Sequence, residues 1–101
     1  MPVRGVFEMN ERNVEQNVIK QLRKAGGEAY KFVSPGRRGV PDRLCLLSVP
    51  EKLRETIAKY IRFIEAKAPG KMMRPDQINE KKRLEELGYR VDIIDTMDWR
   101  F

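Results

Sequence analysis

Tyr60-Ile61-Arg62-Phe63-Ile64-Glu65-Ala66-Lys67-Ala68 reads as a strand, and Pro69-Gly70 ends it. Successive strand side chains alternate, so Ile61, Phe63, Glu65 and Lys67 share one face while Ile64 and Ala66 take the other. Two charges on an otherwise apolar, half-buried strand lose hydration unless something compensates. A salt bridge on an edge strand is one such compensation, and a functional site is another. Glu80-Lys81-Lys82 repeats the spacing but falls within a helix, where residues two apart diverge, and reads as solvated surface.

Upstream, Leu44 to Val49 reads as a buried strand, with Asp42 at its mouth, 23 positions before Glu65. If these two strands are neighbours, about 4.8 Å apart, the carboxylates of Asp42 and Glu65 can converge. Two anions near 4 Å repel by about 4 kcal/mol at an effective dielectric of about 20. A bound divalent cation is the commonest reason to keep such a pair, and carboxylate and carbonyl oxygens suit Mg²⁺ or Mn²⁺.

The flanking segments complete an α/β pattern. Asn10 is a suitable N-cap for a helix over Glu11 to Ala25, closed by Gly26-Gly27. Its apolar stripe is Val14, Val18, Leu22 and Ala25, widened by Ile19. Glu28 to Val33 reads as a strand carrying Tyr30, Phe32 and Val33, and Ser34-Pro35-Gly36-Arg37-Arg38-Gly39 as a cationic loop dense in turn residues. Pro50 to Thr56 is either a connection or a short helix. Pro75 opens a helix that runs to about Leu87 with Gly88 as its stop, and Tyr89 to Ile94 is a last strand. The order helix-strand-strand-strand-helix-strand describes a mixed sheet flanked by helices, in one domain spanning residues 1–101.

Composition narrows the function further. The chain has no histidine, which excludes Ser-His-Asp and Cys-His catalysis and the histidine-ligated zinc proteases. Its single cysteine, Cys45, excludes an internal disulfide and a thiolate cage, and within Leu44-Cys45-Leu46-Leu47 it reads as a small buried thiol. A net charge of +6 points to a polyanionic partner. No apolar run approaches the roughly 20 residues of a membrane helix. Met1 to Glu8 is too short and too acidic for a signal peptide, so a cytoplasmic location is expected, or host cytoplasm for a phage-encoded chain.

Several motifs in order carry a resemblance: Gly39-Val40-Pro41-Asp42, then Phe63-Ile64-Glu65-Ala66-Lys67-Ala68-Pro69-Gly70, then Gln77 early in the next helix. With Glu15 in the first helix, Tyr30-Lys31 before Ser34-Pro35-Gly36, and Leu87-Gly88-Tyr89, the chain resembles the virus-type replication-repair nuclease (VRR-NUC) family over about residues 11 to 95. That family is a branch of the PD-(D/E)xK nucleases. The resemblance implies a restriction-endonuclease-like α/β fold and hydrolysis of DNA phosphodiesters with Mg²⁺ or Mn²⁺. It implies that Asp42 and Glu65 bind the metal with the carbonyl of Ala66, and that Glu15 reaches it directly or through water. Lys67 would position or activate the attacking water, and Gln77 would serve as the glutamine of the helix motif. Lys31, Arg37, Arg38, Lys71 and Arg74 are candidate DNA contacts, the arginines and Lys71 being placed to hold backbone phosphates.

Related stand-alone members resemble Holliday-junction resolvases and act as homodimers, so branched DNA and a second copy of the chain are the expected partners. Met72-Met73, Trp99 and Phe101 are candidates for the dimer face. A nuclease for flapped or nicked DNA, or a non-catalytic DNA-binding module on the same fold, are the alternatives. The presence together of Asp42, Glu65 and Lys67 argues against the inert module. One departure is visible: Met73-Arg74 stands where a small N-cap residue often precedes the helix proline, and a lost cap costs about 1 kcal/mol.

Overall fold

The computed structural model describes residues 10–33 and 35–100. The readings of Met1 to Glu8, of Ser34 in the cationic loop and of Phe101 on a dimer face lie outside the described residues. The chain divides into two compact units, Met1–Leu47 and Ser48–Phe101.

In the first unit, helix α1 spans Glu11–Lys24. Asn10 caps it, its side-chain oxygen accepting the Asn13 N–H at 2.8 Å, with Glu11 in the first turn and Arg23 and Lys24 in the last, each suited to the helix dipole. The helix closes through two backbone bonds, Gly26 N–H to Arg23 O and Gly27 N–H to Leu22 O, both 3.0 Å. Gly26 adopts the left-handed φ of 82° that this ending requires. The inward stripe is rotated from the expected one: Glu15, Ile19 and Leu22 are half-buried, whereas Val14, Val18 and Ala25 are exposed. Glu15, Ile19 and Leu22 lie at i, i+4 and i+7 and so share one helix face, the face that also carries the ion pair of Glu15 described below.

Strands β1 (Glu28–Lys31) and β2 (Arg43–Leu46) pair antiparallel, with Ala29 opposite Cys45 and Tyr30 opposite Leu44. Both are shorter than expected. Beyond Lys31 one further bond forms, Phe32 N–H to Asp42 O at 2.7 Å, and the chain then leaves the ladder with Phe32 and Val33 exposed. Leu46 is 4% exposed, and Gly27 is buried against it. A Cβ at Gly27 would lie 2.6 Å from the Leu46 carbonyl oxygen, so only glycine fits where α1 hands over to β1. Cys45 is exposed, not buried. The reason is strand alternation: Leu44 and Leu46 take one face and put Cys45 on the other.

In the second unit, the ambiguous stretch after Pro50 is helical: a 3₁₀ turn at Glu51–Leu53 runs into a short helix α2, Arg54–Ala58. Strand β3 (Arg62–Ala66) and strand β4 (Arg90–Ile94) pair in parallel, with Phe63 opposite Val91 and Glu65 opposite Ile93. Parallel neighbours need a long crossover, and helix α3, Pro75–Leu87, supplies it. Both ends of α3 fall where proline and glycine set them: Pro75 stands at its first position, and Gly88 at φ 104° closes it. The core of this unit is Val49 and Leu84, with Gly88 buried beside them. Val49 N–H donates to Leu87 O at 2.7 Å, and Arg54 Nε donates to Val49 O at 3.0 Å.

The α/β class stands. The expected single mixed sheet is instead two separate two-stranded sheets, β1-β2 and β3-β4. Among the described residues, no helix is long and apolar enough to cross a membrane.

Candidate active site

Strand β3 presents Phe63, Glu65 and Lys67 as its half-buried face, while Ile64 and Ala66 are exposed. This is the alternation read from the sequence, except that Ile61, expected on the same face, precedes the strand and is exposed. Phe63 packs edge-on against Tyr89, ring centroids 6.0 Å apart and planes at 89°. The same face extends past the strand end to Lys67, whose N–H donates to Ile94 O at 2.8 Å and so continues the ladder. Lys67 Nζ lies 4.0 Å from Glu65 Oε2, with the lysine side chain 14% exposed and the glutamate 36%. After it, Lys71 N–H bonds Ala68 O at 3.0 Å around Pro69-Gly70, with Gly70 at φ 81°. Proline then glycine at positive φ is the signature of a type II turn.

Gln77 joins this pair. Its Nε2 donates to Glu65 Oε2 at 3.3 Å, and its Oε1 accepts the Arg74 N–H at 3.0 Å. The glutamine therefore supplies, from the third position of α3, the half of a capping box that satisfies the N–H of the N-cap residue Arg74. Both ends of its amide are engaged, so its orientation is determined: oxygen to the helix start, nitrogen to the carboxylate. Glu65, Lys67 and Gln77 thus meet at one carboxylate oxygen.

The other predicted acids lie in the first unit. Glu15 is held by Arg43, whose Nη2 and Nε both reach Glu15 Oε2, at 2.7 and 2.9 Å. This ties α1 to the start of β2. Arg43 was not among the residues singled out from the sequence; its position directly after Asp42 was the available signal. Asp42 is exposed at the mouth of β2, and its carbonyl accepts the Phe32 N–H. Among the described residues, neither unit by itself gathers three or more His, Cys, Asp or Glu side chains into a metal-holding group.

The cationic candidates are all exposed: Lys31 at the end of β1, Arg37 and Arg38 in the loop, and Lys71 and Arg74 ahead of α3. Arg74 Nε bonds Asp76 Oδ1 at 3.2 Å, and that hydrogen bond holds the Asp76 carboxyl below its ordinary value. The Glu80 repeat is surface, as read: Lys81 pairs with Glu85 at 2.9 Å, and Arg83 lies 3.6 Å from Glu80. On the face of the β3-β4 pair opposite Glu65, Asp92 Oδ1 takes Arg90 Nε at 3.0 Å. Its Oδ2 is buried with no hydrogen-bond partner among the described residues.

Fold and site together define an α/β protein with an acid-amide-lysine cluster where a parallel strand pair meets the start of its crossover helix. A protein of Acyrthosiphon pisum secondary endosymbiont phage 1, named "Putative nuclease p44", is 46% identical over 90 residues, covering 89% of this chain and 87% of that protein. The chain belongs to the same family as that phage protein, and is a nuclease by that kinship. No family model matches the chain, and no solved structure matches it.

Proposed function

We propose that this protein is a divalent-metal-dependent DNA endonuclease of the VRR-NUC branch, selective for branched DNA and acting as a homodimer in the manner of Holliday-junction resolvases. The observation that carries the reading is the meeting of Glu65, Lys67 and Gln77 at one half-buried carboxylate oxygen. The nuclease-named phage relative supports the nuclease part of it independently.

The donor chemistry fits a hard cation. Carboxylates of Glu65, Asp42 and Glu15 and the carbonyl of Ala66 are the ligands the motifs assign, in a chain without histidine. Such oxygen donors suit Mg²⁺ or Mn²⁺. When bound, the ion polarises the scissile phosphate and lowers the pKa of a coordinated water. Gln77 orients the Glu65 carboxylate by donating to it, and the charge of Lys67 offsets the cost of keeping that carboxylate partly out of water. Lys67 stands beside Glu65, placed to orient the attacking water or to take its proton. Arg37, Arg38, Lys71 and Arg74, with Lys31, provide the positive surface for phosphates, which carry charge but no sequence. One chain offers one site, whereas a four-way junction requires two cuts; a two-fold dimer supplies both in matching symmetry.

The test is cleavage of a panel of junctions, flaps, nicked and linear duplexes with Mg²⁺ or Mn²⁺, alongside Asp42→Ala, Glu65→Ala and Lys67→Ala. Each variant is expected to fold and to lose cutting, while Glu80→Ala and Lys82→Ala cut normally. A site variant that cuts at the wild-type rate removes the site assignment. A monomer by light scattering that nicks every duplex alike removes the junction reading and leaves a general nuclease.

A further inference from the structure

Phe32 stands just past the end of β1 with 42% of its surface exposed. It lines a cavity of about 650 Å³ together with Arg37, Arg38, Val40 and Pro41. That volume falls within the roughly 300–1,000 Å³ of small-molecule sites. The lining is open at both loop glycines, since a Cβ at Gly36 or Gly39 would meet nothing within 4 Å. The backbone at Phe32, by contrast, is anchored, because its N–H is bonded to the Asp42 carbonyl at 2.7 Å. A concavity lined by an exposed phenylalanine and two arginines matches a ligand with a flat π-surface and an anionic linkage. A nucleotide has both.

We propose that this cavity stacks one unpaired base of the DNA substrate on Phe32, with Arg37 and Arg38 on the phosphates that flank it. The proposal rests on the nuclease reading and names what the enzyme reads in a branched substrate. A base inside a duplex has both faces covered by its neighbours and does not reach a ring set in a concavity. A base at a branch point, flap or frayed end has a free face. Because every base offers a π-face, such a site selects DNA structure without selecting sequence. The bond from Phe32 to Asp42 joins the platform to the backbone of a proposed acid of the site.

The experiment measures binding of the full chain to a fluorescein-labelled oligothymidylate and to a fully paired hairpin, by anisotropy in EDTA at fixed salt. Phe32→Ala is expected to weaken oligothymidylate binding by about fivefold or more, the loss of one stacked base, and to leave hairpin binding within about twofold. Phe32→Tyr restores the affinity. Phe32→Trp adds a reporter whose emission oligothymidylate quenches beyond the background of Trp99. An equal loss on both DNAs, no loss on either, or an unquenched tryptophan at 32 overturns the proposal. Its failure is separable from failure of the nuclease reading: a wild-type chain that cuts DNA while Phe32→Ala binds normally sinks the stacking site alone. A wild-type chain that binds unpaired DNA through Phe32 but never cuts with either metal sinks the nuclease alone.

Discussion

Replacing Gln77 separates two functions that one amide performs. In Gln77→Ala both bonds disappear: the acceptor for the Arg74 N–H at 3.0 Å and the donor to Glu65 Oε2 at 3.3 Å. Loss of a helix N-terminal cap costs about 1 kcal/mol. The bond to Glu65 is long and its carboxylate is 36% exposed, so its loss adds about 0.5–1 kcal/mol, less than a short, buried bond to a charged partner contributes. The sum of about 1.5–2 kcal/mol corresponds to a fall in Tm of roughly 6–16 °C for a chain of this size. Gln77→Glu keeps the cap acceptor and adds a favourable charge at the helix N-terminus, but replaces the donor to Glu65 by a second carboxylate. Two carboxylates about 4 Å apart repel by about 4 kcal/mol at an effective dielectric of about 20, and solvent at an exposed pair reduces this to about 1 kcal/mol. Gln77→Glu should therefore melt lower than wild type in EDTA and recover on addition of Mg²⁺ or Mn²⁺, whereas Gln77→Ala should not recover by more than wild type does. Both should cut more slowly. Thermal melts followed by circular dichroism, with and without metal, read the first effect, and single-turnover cleavage reads the second. If Gln77→Ala melts within about 1 °C of wild type, the amide does not bridge the helix start to Glu65.

Three other outcomes follow from the geometry. Gly27→Ala sets a Cβ against the Leu46 carbonyl oxygen, which is backbone and cannot turn aside; an overpacking cost of about 1–3 kcal/mol should appear as a lower urea midpoint with an unchanged slope. Replacing Arg37 and Arg38 together should flatten the log-log salt dependence of duplex binding by about two units, at about 0.9 per phosphate contact; an unchanged slope places that loop away from DNA. Asp76 titrates below its ordinary value because Arg74 hydrogen-bonds its ionised form. That contribution is present above pH 3.8 and disappears as pH falls through the lower folded value, so Arg74→Ala should move the Asp76 carboxyl titration upward by NMR, and an unmoved titration would contradict the bond.

The sequence by itself determined the parts whose causes are local. Asn10, Pro75, Gly26 and Gly88 set the two long helices within a residue, because caps, a ring-locked φ and a left-handed glycine act over three or four residues. The shared face of Phe63, Glu65 and Lys67 followed from strand alternation alone, which needs only the period of two. Tertiary structure decided what depends on partners distant in the chain. Glu15 and Arg43 are 28 residues apart, and their pairing lies on the inward face of α1 while Val14 and Val18 stay exposed. The expected strands through Val33 and Val49 end early, since ladder bonds exist only where a partner strand lies alongside; the apolar residues beyond, Phe32 among them, are left to other uses. Cys45 is exposed for the same reason: hydrophobic neighbours in sequence say nothing about which face of a strand is covered. Gln77 shows both levels at once. Its place in the helix was legible as a motif position, but that one amide caps the helix and holds Glu65 depends on the crossover that brings α3 to the end of β3.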